Sequence, residues 1–489
     1  MKNKQYIAMV ALWFVCGVLV GQNERDAYRY AQYSPTGTAR YSALAGSMGA
    51  FGADFTTLSA NNPAGIGLFK RQMEITLTLA PSYNEITSTY NGVQRKEGKF
   101  GFNCNNFGLV FVSTISNSKW KHVQFATGIN NLARYKTHSI VSGYNEGKTN
   151  FFDYVAESSY GTRINSLSGI ALTAYDYYLI DPVYGKDDEY VNNVNDYFYQ
   201  QQIRGTSGYL NEWGFSLGAN YDDKLFLGAT IGVPFFYYEE KTTYSEYPPK
   251  INDIYDNFEI SDRLIAKATG INFKAGIIYQ PAKFIRMGAA VHTPTIYPNV
   301  KETYYKDDYE FLNIYNHLDS VLDSKVYELS PEGRFDYQLT TPYRAMANVA
   351  FIINKYGFIN LDYEFTDYSA SHLQSNSYGF IDENSATKSY YCETHTIRAG
   401  GELNLSPIAL RLGFSYSSNP YKNLDKDGSR YIISGGIGFK GKSFFADFAY
   451  MYKFTKDKDV FYDAITVNPY SSQIVNQVFA LTLGWKLGK

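Results

Sequence analysis

Two glycine-containing strings in the sequence have the spacing of motifs that do chemistry. Gly214-Phe-Ser216-Leu-Gly218 matches the nucleophile elbow of serine hydrolases, in which the serine sits on a sharp strand-to-helix turn. Gly436-Ile-Gly438-Phe-Lys-Gly441 matches the glycine pattern that holds a dinucleotide pyrophosphate at the start of a helix. Both strings lie in segments that alternate apolar with small residues, as a strand does, and neither leads into a helical pattern. We therefore predict neither chemistry.

Other residue types that could support catalysis or metal binding are scattered. Of the six histidines, His292 alone falls in the middle of a predicted strand, so an esterase built on a barrel is only a minor alternative. The acidic run Asp187-Asp188-Glu189 could bind Ca²⁺, but we interpret it as a solvated loop. Cys104 and Cys392 are interpreted as isolated thiols rather than a disulfide. The sequence thus predicts no catalytic residue, no metal site, no cofactor and no enzymatic activity.

The start of the chain has the layout of a secretory signal. Lys2 and Lys4 precede an apolar run over residues 7–20, and the small residue Gly21 is followed by polar residues. The run is too short for a membrane-spanning helix, which needs about 20 apolar residues. We predict that residues 1–21 are a signal peptide, and that no later segment is a spanning helix. The formal net charge of -2 gives no basic footprint for a nucleic acid.

The rest of the chain, after residue 70, is dominated by segments with a two-residue period. The sequence holds 47 Tyr, 33 Phe and 40 Gly, a composition typical of strands with interfacial rings and of sheets bent at glycines. Trp213, Phe215 and Leu217, for example, alternate with small or polar residues. We predict an all-β fold of fourteen strands, at 72–85, 104–114, 121–133, 210–221, 225–238, 268–280, 284–297, 337–353, 357–369, 394–405, 408–417, 429–440, 443–455 and 473–487.

Short and long connections alternate strictly between these predicted strands. The long ones are 86–103, 134–209, 239–267, 298–336, 370–393, 418–428 and 456–472. This asymmetry is typical of transmembrane β-barrels, which have tight periplasmic turns and long outer loops. The charged residues agree, since Arg344, Arg398 and Arg411 each fall on the strand face opposite the large apolar residues. We predict an antiparallel barrel over residues 71–489 in the outer membrane of a Gram-negative bacterium, in contact with its lipid, with these arginines in the lumen.

Residues 22–70 do not alternate. They contain runs of small residues, such as Ser42-Ala-Leu-Ala-Gly46, which pack closely but form poor strands. The segment is too short for a strong core of its own. We predict that residues 22–70 form a hatch, or plug, inside the barrel lumen.

Several stretches resemble the FadL-type outer-membrane transporters, which carry long-chain fatty acids and other hydrophobic compounds. The resemblance covers most of residues 37–487 and rests on Asn62-Pro63-Ala64 after the small-residue run from Gly37, the strand pair 215–230, Thr341-Pro342-Tyr343-Arg344, Asp362-Tyr-Glu-Phe-Thr-Asp-Tyr368 and Ile397-Arg-Ala-Gly-Gly-Glu402. It implies a fourteen-stranded barrel with a lumenal hatch and passive uptake of a hydrophobic small molecule by a monomer. In that family the ligand leaves sideways at a kink in the third strand.

The resemblance also implies roles for particular residues. Asn62, Pro63 and Ala64 would form a fixed hatch turn, and Gly128 or Asn131 would form the third-strand kink, although the spacing there is not a clear match. Phe51, Phe55 and Leu58 would floor a ligand pocket walled by Phe125, Gly128 and Leu132. The chain ends Trp485-Lys-Leu-Gly-Lys489, whereas barrel proteins usually end on an aromatic residue, a departure that concerns assembly.

Two further candidate features have alternative interpretations. Leu167, Ile170, Ala171, Ala174, Tyr175, Tyr178 and Leu179 recur at helical spacing, with Asn165 as N-cap, and would form a platform that captures lipid at the barrel mouth or simply pack on neighbouring loops. Lumenal Arg344 and Arg398 could hold a ligand carboxylate, or could belong to an ion-pair lattice that includes Glu364 and Glu402. A FadL-like barrel that docks a secretion or surface-attachment partner is the alternative function.

Overall fold

The computed structural model describes residues 24–145, 149–194, 197–247, 255–315, 321–328, 332–423, 425–462 and 467–488. The predicted signal peptide, residues 1–21, lies outside the described residues. Within them, no helix is long and apolar enough to cross a membrane.

Fourteen antiparallel strands close into a barrel, as the sequence predicts. Each strand pairs with the next along the chain, and the first pairs with the last from Met73↔Leu487 to Thr89↔Ser471. The strands are β1 (Met73–Tyr90), β2 (Val93–Thr114), β3 (Trp120–Arg134, continued by Thr137–Tyr144), β4 (Tyr199–Tyr221), β5 (Leu225–Tyr247), β6 (Asn257–Thr269, continued by Asn272–Ala282), β7 (Ile285–His292, continued by Ile296–Tyr315), β8 (Glu332–Thr340, continued by Arg344–Ile353), β9 (Gly357–Asp367, continued by His372–Gln374), β10 (Glu393–Leu405), β11 (Ile408–Ser417), β12 (Arg430–Lys440), β13 (Phe444–Asp459) and β14 (Tyr470–Leu487).

The strands reach further towards the long loops than predicted. The predicted loop 86–103 is wrong, because β1 and β2 form one hairpin closed by Asn91 and Gly92, whose φ angles are 43° and 79°. Positive φ at both central residues is the geometry of a type I′ turn, which an Asn-Gly pair favours. The predicted loops 239–267 and 298–336 also contain strand residues, and Val321–Glu328 pairs with the outer part of β7. These extensions lack a clear apolar face, so the two-residue period does not reveal them.

Short helices lie in the N-terminal part and in the long loops. They are α1 (Glu24–Arg29), α2 (Ala39–Ala43), α3 (Thr57–Ala60), α4 (Phe151–Ser158), α5 (Ile170–Asp176) and α6 (Ile381–Tyr390), with 3₁₀ turns at Pro63–Leu68, Ile164–Ser166 and Tyr368–Ala370. The predicted loop helix is confirmed only over α5, whose N-cap is Gly169 and not Asn165. Helix α4 was not predicted, although Asn150 and Asp153 form a capping box at its start.

The two faces of the barrel wall differ sharply in polarity. On β11, Leu410, Leu412 and Phe414 are exposed on the outside, and Leu412 reaches 73% exposure, whereas Arg411 between them is 2% exposed. Arg344 and Arg398 are likewise buried on the inner face, as predicted. An apolar outer band with charges confined to the inside is what a membrane-spanning barrel requires, because a cation on the lipid face costs about 2–4 kcal/mol.

Candidate functional site

Residues 24–69, the N-terminal segment, are largely buried against the inner face of the barrel. Their backbone is bonded to strands around the circumference: Ala39 N donates to Thr482 Oγ1 of β14 at 2.6 Å, and Gly49 N donates to Asp362 Oδ2 of β9 at 3.0 Å. Thr230 Oγ1 of β5 donates to Leu58 O at 3.1 Å, and Gln124 Nε2 of β3 donates to Gly67 O at 3.2 Å. These bonds satisfy polar groups that would otherwise be buried and unpaired. That the segment acts as a hatch stays a prediction.

Inward-facing glycines let this segment approach the wall closely. A Cβ atom on Gly228 would lie 2.2 Å from Pro63 O, and one on Gly413 would lie 2.2 Å from the carbonyl carbon of Leu44. Other glycines that contact the segment are Gly108, Gly128, Gly218, Gly276, Gly400 and Gly436. Sequence reasoning assigned the glycines to sheet bending and missed this role. A glycine in a strand can also indicate that another part of the backbone approaches closely, so the strand glycines could have predicted these contacts.

The Asn62-Pro63-Ala64 turn is held by hydrogen bonds of the Asn62 side chain. Asn62 is extended, with φ of -114° and ψ of 109°, and its side-chain oxygen accepts a hydrogen bond from Ala64 N at 3.0 Å. Its side-chain nitrogen donates to Ile277 O at 3.2 Å and to Ala289 O at 3.3 Å, on β6 and β7. Pro63 begins the 3₁₀ turn, where a missing N–H carries no penalty. The turn is thus tied to two strands, and its gating role stays a prediction.

The predicted pocket residues do not converge on one pocket. Phe51 stacks on Phe358 with ring centroids 3.6 Å apart, whereas Phe55 and Leu58 belong to a separate apolar cluster. Leu132 packs in a third cluster with Ala27 and Tyr30 of the N-terminal segment. The placement of Phe125 in the lumen is wrong: its side chain is 40% exposed on the outer face, because Ala126 is the neighbour that points inward. Phe51, Phe55, Leu58 and Leu132 therefore pack in three separate apolar clusters and do not line one shared pocket.

The predicted lipid platform is mostly part of a loop core. Leu167, Ala174 and Leu179 are buried in an aromatic cluster that also holds Phe152 and Phe198. Ile170 and Tyr175 are partly buried against the same cluster, whereas Tyr178 is 58% exposed. Except for Tyr178, these residues therefore fit packing on neighbouring loops better than capture of lipid at the barrel mouth.

The lumenal arginines that could bind a ligand carboxylate have protein carboxylates as partners. Arg344 Nη2 lies 2.6 Å from Glu364 Oε1, and Arg398 Nη2 lies 2.8 Å from Glu364 Oε2. Glu402 likewise accepts hydrogen bonds from Arg40 of the N-terminal segment and from Arg411 and Lys440 of the wall. The geometry is that of the ion-pair lattice, which links the segment to β10, β11 and β12.

Asp54 connects two parts of the N-terminal segment. Thr38 Oγ1 donates to Asp54 Oδ2 at 2.7 Å, and Thr56 N donates to Asp54 Oδ1 at 2.9 Å. Burial raises the pKa of this carboxyl above its ordinary value of 3.8 despite the nearby Arg40 cation, and the Asp447 carboxylate adds to the rise. A carboxyl whose pKa is raised in the folded protein stabilises the folded state most at a pH below its ordinary pKa. This stabilisation is lost as pH rises through the raised pKa.

We therefore expect the segment to become easier to detach as pH rises from about 4 towards neutral. Limited proteolysis of the folded barrel across that range would measure this, and Asp54→Asn should remove the part of the dependence that Asp54 causes. Asp425→Asn, at an exposed loop position, is the matched control. Identical pH profiles for the wild type and Asp54→Asn would contradict the expectation.

The wall is incompletely paired between β2 and β3. Their backbone ladder runs from Thr114↔His122 to Asn106↔Asn130 and goes no further in the described chain, although β2 stays paired with β1 up to Tyr90↔Val93. Beyond Asn130, β3 bends inward: Asn84 on the inner face of β1 donates from Nδ2 to Lys136 O at 2.6 Å. Between residues 93–105 and 131–144 the two strands share no backbone ladder and are linked by side chains, as where Arg95 Nε donates to Ser142 Oγ at 2.9 Å and Lys99 Nζ donates to Thr137 O at 3.3 Å. We call this stretch the β2–β3 opening.

Both predicted kink residues lie at the end of this ladder. The inner side of Gly128 is covered by the Phe55 ring, and a Cβ atom there would lie 2.1 Å from Phe107 O. Asn131 forms a bulge against β4 and donates from Nδ2 to Ala133 O at 3.0 Å. Sequence reasoning missed Arg134, whose guanidinium spans the opening by donating to Ala80 O at 3.0 Å and to the Asn105 side chain. Arg134 falls just beyond the predicted strand 121–133, in the predicted loop 134–209, so the sequence pattern gave no signal for this role.

Comparison with known proteins adds information about the fold. No protein family model matches the sequence, and no curated protein sequence matches it. Among solved structures, a Pseudomonas aeruginosa FadL homologue is 15% identical, with a TM-score of 0.56 over 93% of this chain and 100% of its own. The P. putida toluene transporter TodX is 10% identical, with a TM-score of 0.53 over 94% of this chain and 100% of its own. The chain therefore has the β-barrel fold of the FadL-type transporters.

Proposed function

We propose that the protein is a passive outer-membrane channel for hydrophobic small molecules. In this proposal the N-terminal segment closes the lumen, and cargo leaves sideways into the membrane through the β2–β3 opening. The observation that carries it is the end of the β2–β3 ladder at Asn106↔Asn130. The opening borders the apolar outer face, where Phe100 and Phe102 of β2 are 62% and 59% exposed. An apolar molecule gains about 0.8 kcal/mol per CH₂ on leaving water, so a path that ends at the apolar outer face favours such cargo.

The fold of a toluene transporter and of a FadL homologue supports a hydrophobic cargo. Long-chain fatty acids remain the cargo that the sequence resemblance implies. Because Arg344 and Arg398 have Glu364 as their partner, we expect apolar contacts rather than these cations to set cargo affinity.

Passage requires part of the N-terminal segment to move. The inner side of the opening is covered by Leu132, which packs with Ala27 and Tyr30. We propose that residues 24–35 are displaced when cargo enters from the long loops, while the turn at Asn62, Pro63 and Ala64 stays bonded to β6 and β7. The described structure then corresponds to the closed state.

Cross-linking the opening tests the route. Asn105→Cys with Arg134→Cys, in a background in which Cys104 and Cys392 are Ser, places two thiols on opposite sides of it. We expect a short reducible cross-linker to lower uptake of labelled toluene and palmitate to the level of cells without the protein, and reduction to restore it. Ser113→Cys with Val123→Cys, on partners in the intact ladder, is the matched control. Undiminished uptake by the cross-linked first pair would rule out the sideways route.

A docking function is the second candidate, and the long-loop surface favours it. Tyr160, Tyr178 and Tyr184 are 49%, 58% and 103% exposed in the loop between β3 and β4. Exposed tyrosines are typical of protein interfaces. If cells that lack the protein take up both probes normally, but lose a surface complex, the docking function replaces the channel.

A further inference from the structure

Four cations lie on the inner face of the barrel beside the β2–β3 opening and have no carboxylate partner in the described part of the chain. They are Lys99 of β2, Arg134 and Lys136 at the bend of β3, and Lys453 of β13. Lys99 Nζ donates to Thr137 O at 3.3 Å and Arg134 donates to Ala80 O at 3.0 Å, and both acceptors are uncharged. All four cations are partly exposed, so they are accessible to a ligand.

One row of inward-facing residues connects these cations. In the backbone ladders Lys453 lies opposite Asn476 of β14, and Asn476 lies opposite Asn84 of β1. Asn84 in turn lies opposite Lys99, and the Lys136 side chain crosses the inner side of β2 next to this row. Neighbouring strands lie about 4.8 Å apart, so the row spans about 14 Å, and the long lysine side chains at its two ends can turn towards one ligand. We call these five residues, together with the fourth cation, the basic row.

The basic row keeps an excess of positive charge. Glu97 of β2 is on the same face, but Arg95 on that face offsets its charge. Neighbouring carboxylates bind cations outside the row: Glu239 with Arg263, Asp457 with Lys426, and Asp459 with Arg25 and Arg204. Two charged groups act on Lys453, Arg134 and Arg430, and both are cations. Cations held together in a partly buried site repel one another, because the local dielectric is lower than that of water, so an anion in the row would relieve that repulsion.

Aromatic rings on the outer face place the basic row at the level of the lipid headgroups. Tyr83, Phe100 and Tyr452 are 39%, 62% and 37% exposed, and each lies next in the chain to a residue of the row. Exposed aromatic residues form the girdles of outer-membrane barrels at the membrane–water interfaces. Because β2 and β3 share no backbone ladder at this level, a headgroup can approach the row by displacing side chains alone.

We propose that the basic row is a binding site for a phosphate group, supplied by the headgroup of a lipid in the surrounding membrane. A phosphate monoester carries about 1.5 to 2 negative charges near pH 7 and has three strong acceptor oxygens. It can therefore bond several of the cations at once and offset more of their charge than a carboxylate can. The lipid chains lie outside the wall, along Phe100 and Phe102, which are 62% and 59% exposed.

The site lies at the opening of the proposed channel but requires no transport. Phosphate binding without uptake of a hydrophobic probe would leave the site and remove the channel. Uptake without phosphate binding would do the reverse.

Isothermal titration of the purified protein in a non-ionic detergent tests the site. The probes are dihexanoyl phosphatidate, inorganic phosphate, dihexanoyl phosphatidylcholine, in which the choline offsets the phosphate charge, and hexanoate. We expect phosphatidate to bind at one site and more tightly than the other three probes. Lys453→Gln and Lys136→Gln should each weaken the binding of phosphatidate and of inorganic phosphate about tenfold, the size of one lost charge-assisted contact. Phe100→Ala should weaken phosphatidate but leave inorganic phosphate unchanged.

Lys456→Gln is the matched control, because Lys456 lies on the same strand as Lys453 but is exposed on the outer face. Heat-dependent migration in SDS gels would check that each variant remains a folded barrel. Absence of phosphatidate binding, or equal binding by the wild type, Lys453→Gln and Lys136→Gln, would overturn the site. Hexanoate binding as tightly as phosphatidate would overturn the choice of phosphate. Inorganic phosphate binding as tightly as phosphatidate would overturn the lipid as its source.

Discussion

Replacing Gly413 by valine is expected to separate the N-terminal segment from the barrel wall and admit small polar solutes to the lumen. A Cβ atom at Gly413 would lie 2.2 Å from the carbonyl carbon of Leu44 and 2.5 Å from Ala45 N. These are backbone atoms of fully buried residues, so no side-chain rotation can relieve the clash. Overpacking of this kind costs about 1–3 kcal/mol, occasionally more, and here the cost falls on the contact between segment and wall. The expected result is a large rise in sugar permeability of proteoliposomes, with the barrel still formed.

Gly435→Val supplies the matched control. Gly435 lies on the neighbouring strand β12, opposite Leu412, and a Cβ atom there would first meet the flexible Leu412 Cδ2 at 3.3 Å. This substitution adds the same volume to the outer face and should leave permeability unchanged. A Gly413→Val barrel as tight as the wild type would show that the segment is not the seal.

Glu364→Gln is expected to cause the largest loss of stability of any single substitution considered. Glu364 accepts hydrogen bonds from both Arg344 and Arg398, and all three residues are less than 10% exposed. Removing the carboxylate charge leaves two buried guanidinium groups without the carboxylate to which both are bonded. Breaking a buried pair in this way costs about 3–5 kcal/mol. Urea unfolding in detergent or lipid vesicles would measure the change in the free energy of unfolding.

Two further variants make that result specific. Replacing all three residues by apolar ones of similar size, Arg344→Met, Glu364→Leu and Arg398→Met, should recover much of the loss, since no unpaired charge then remains. Glu239→Gln breaks the exposed pair with Arg263 and should cost about 0–1 kcal/mol. If Glu364→Gln unfolds at the same urea concentration as the wild type, the arginines have other partners and the ion-pair lattice is wrong.

The alternation of residue types along the chain was enough to predict the barrel. Side chains of a strand point alternately to its two faces, so local sequence shows which face is apolar. The inward placement of Arg344, Arg398 and Arg411 follows from the same two-residue period. The order of short and long connections then indicates fourteen antiparallel strands. The outer extensions of β1 and β2 escaped prediction, because outside the membrane neither face must be apolar.

The contacts inside the barrel were decided only by the tertiary structure. Whether Gly413 meets Leu44, or Glu364 meets two arginines, depends on how distant strands are brought together when the barrel closes. The error at Phe125 is different, because it contradicts the local two-residue period: Phe125 is an odd number of residues from Gly128 and Leu132 and therefore points to the opposite face, where it is 40% exposed. The β2–β3 opening depends on a ladder that stops at Asn106↔Asn130 while both strands continue. A local pattern predicts that a strand exists, but its pairing depends on a neighbour elsewhere in the sequence.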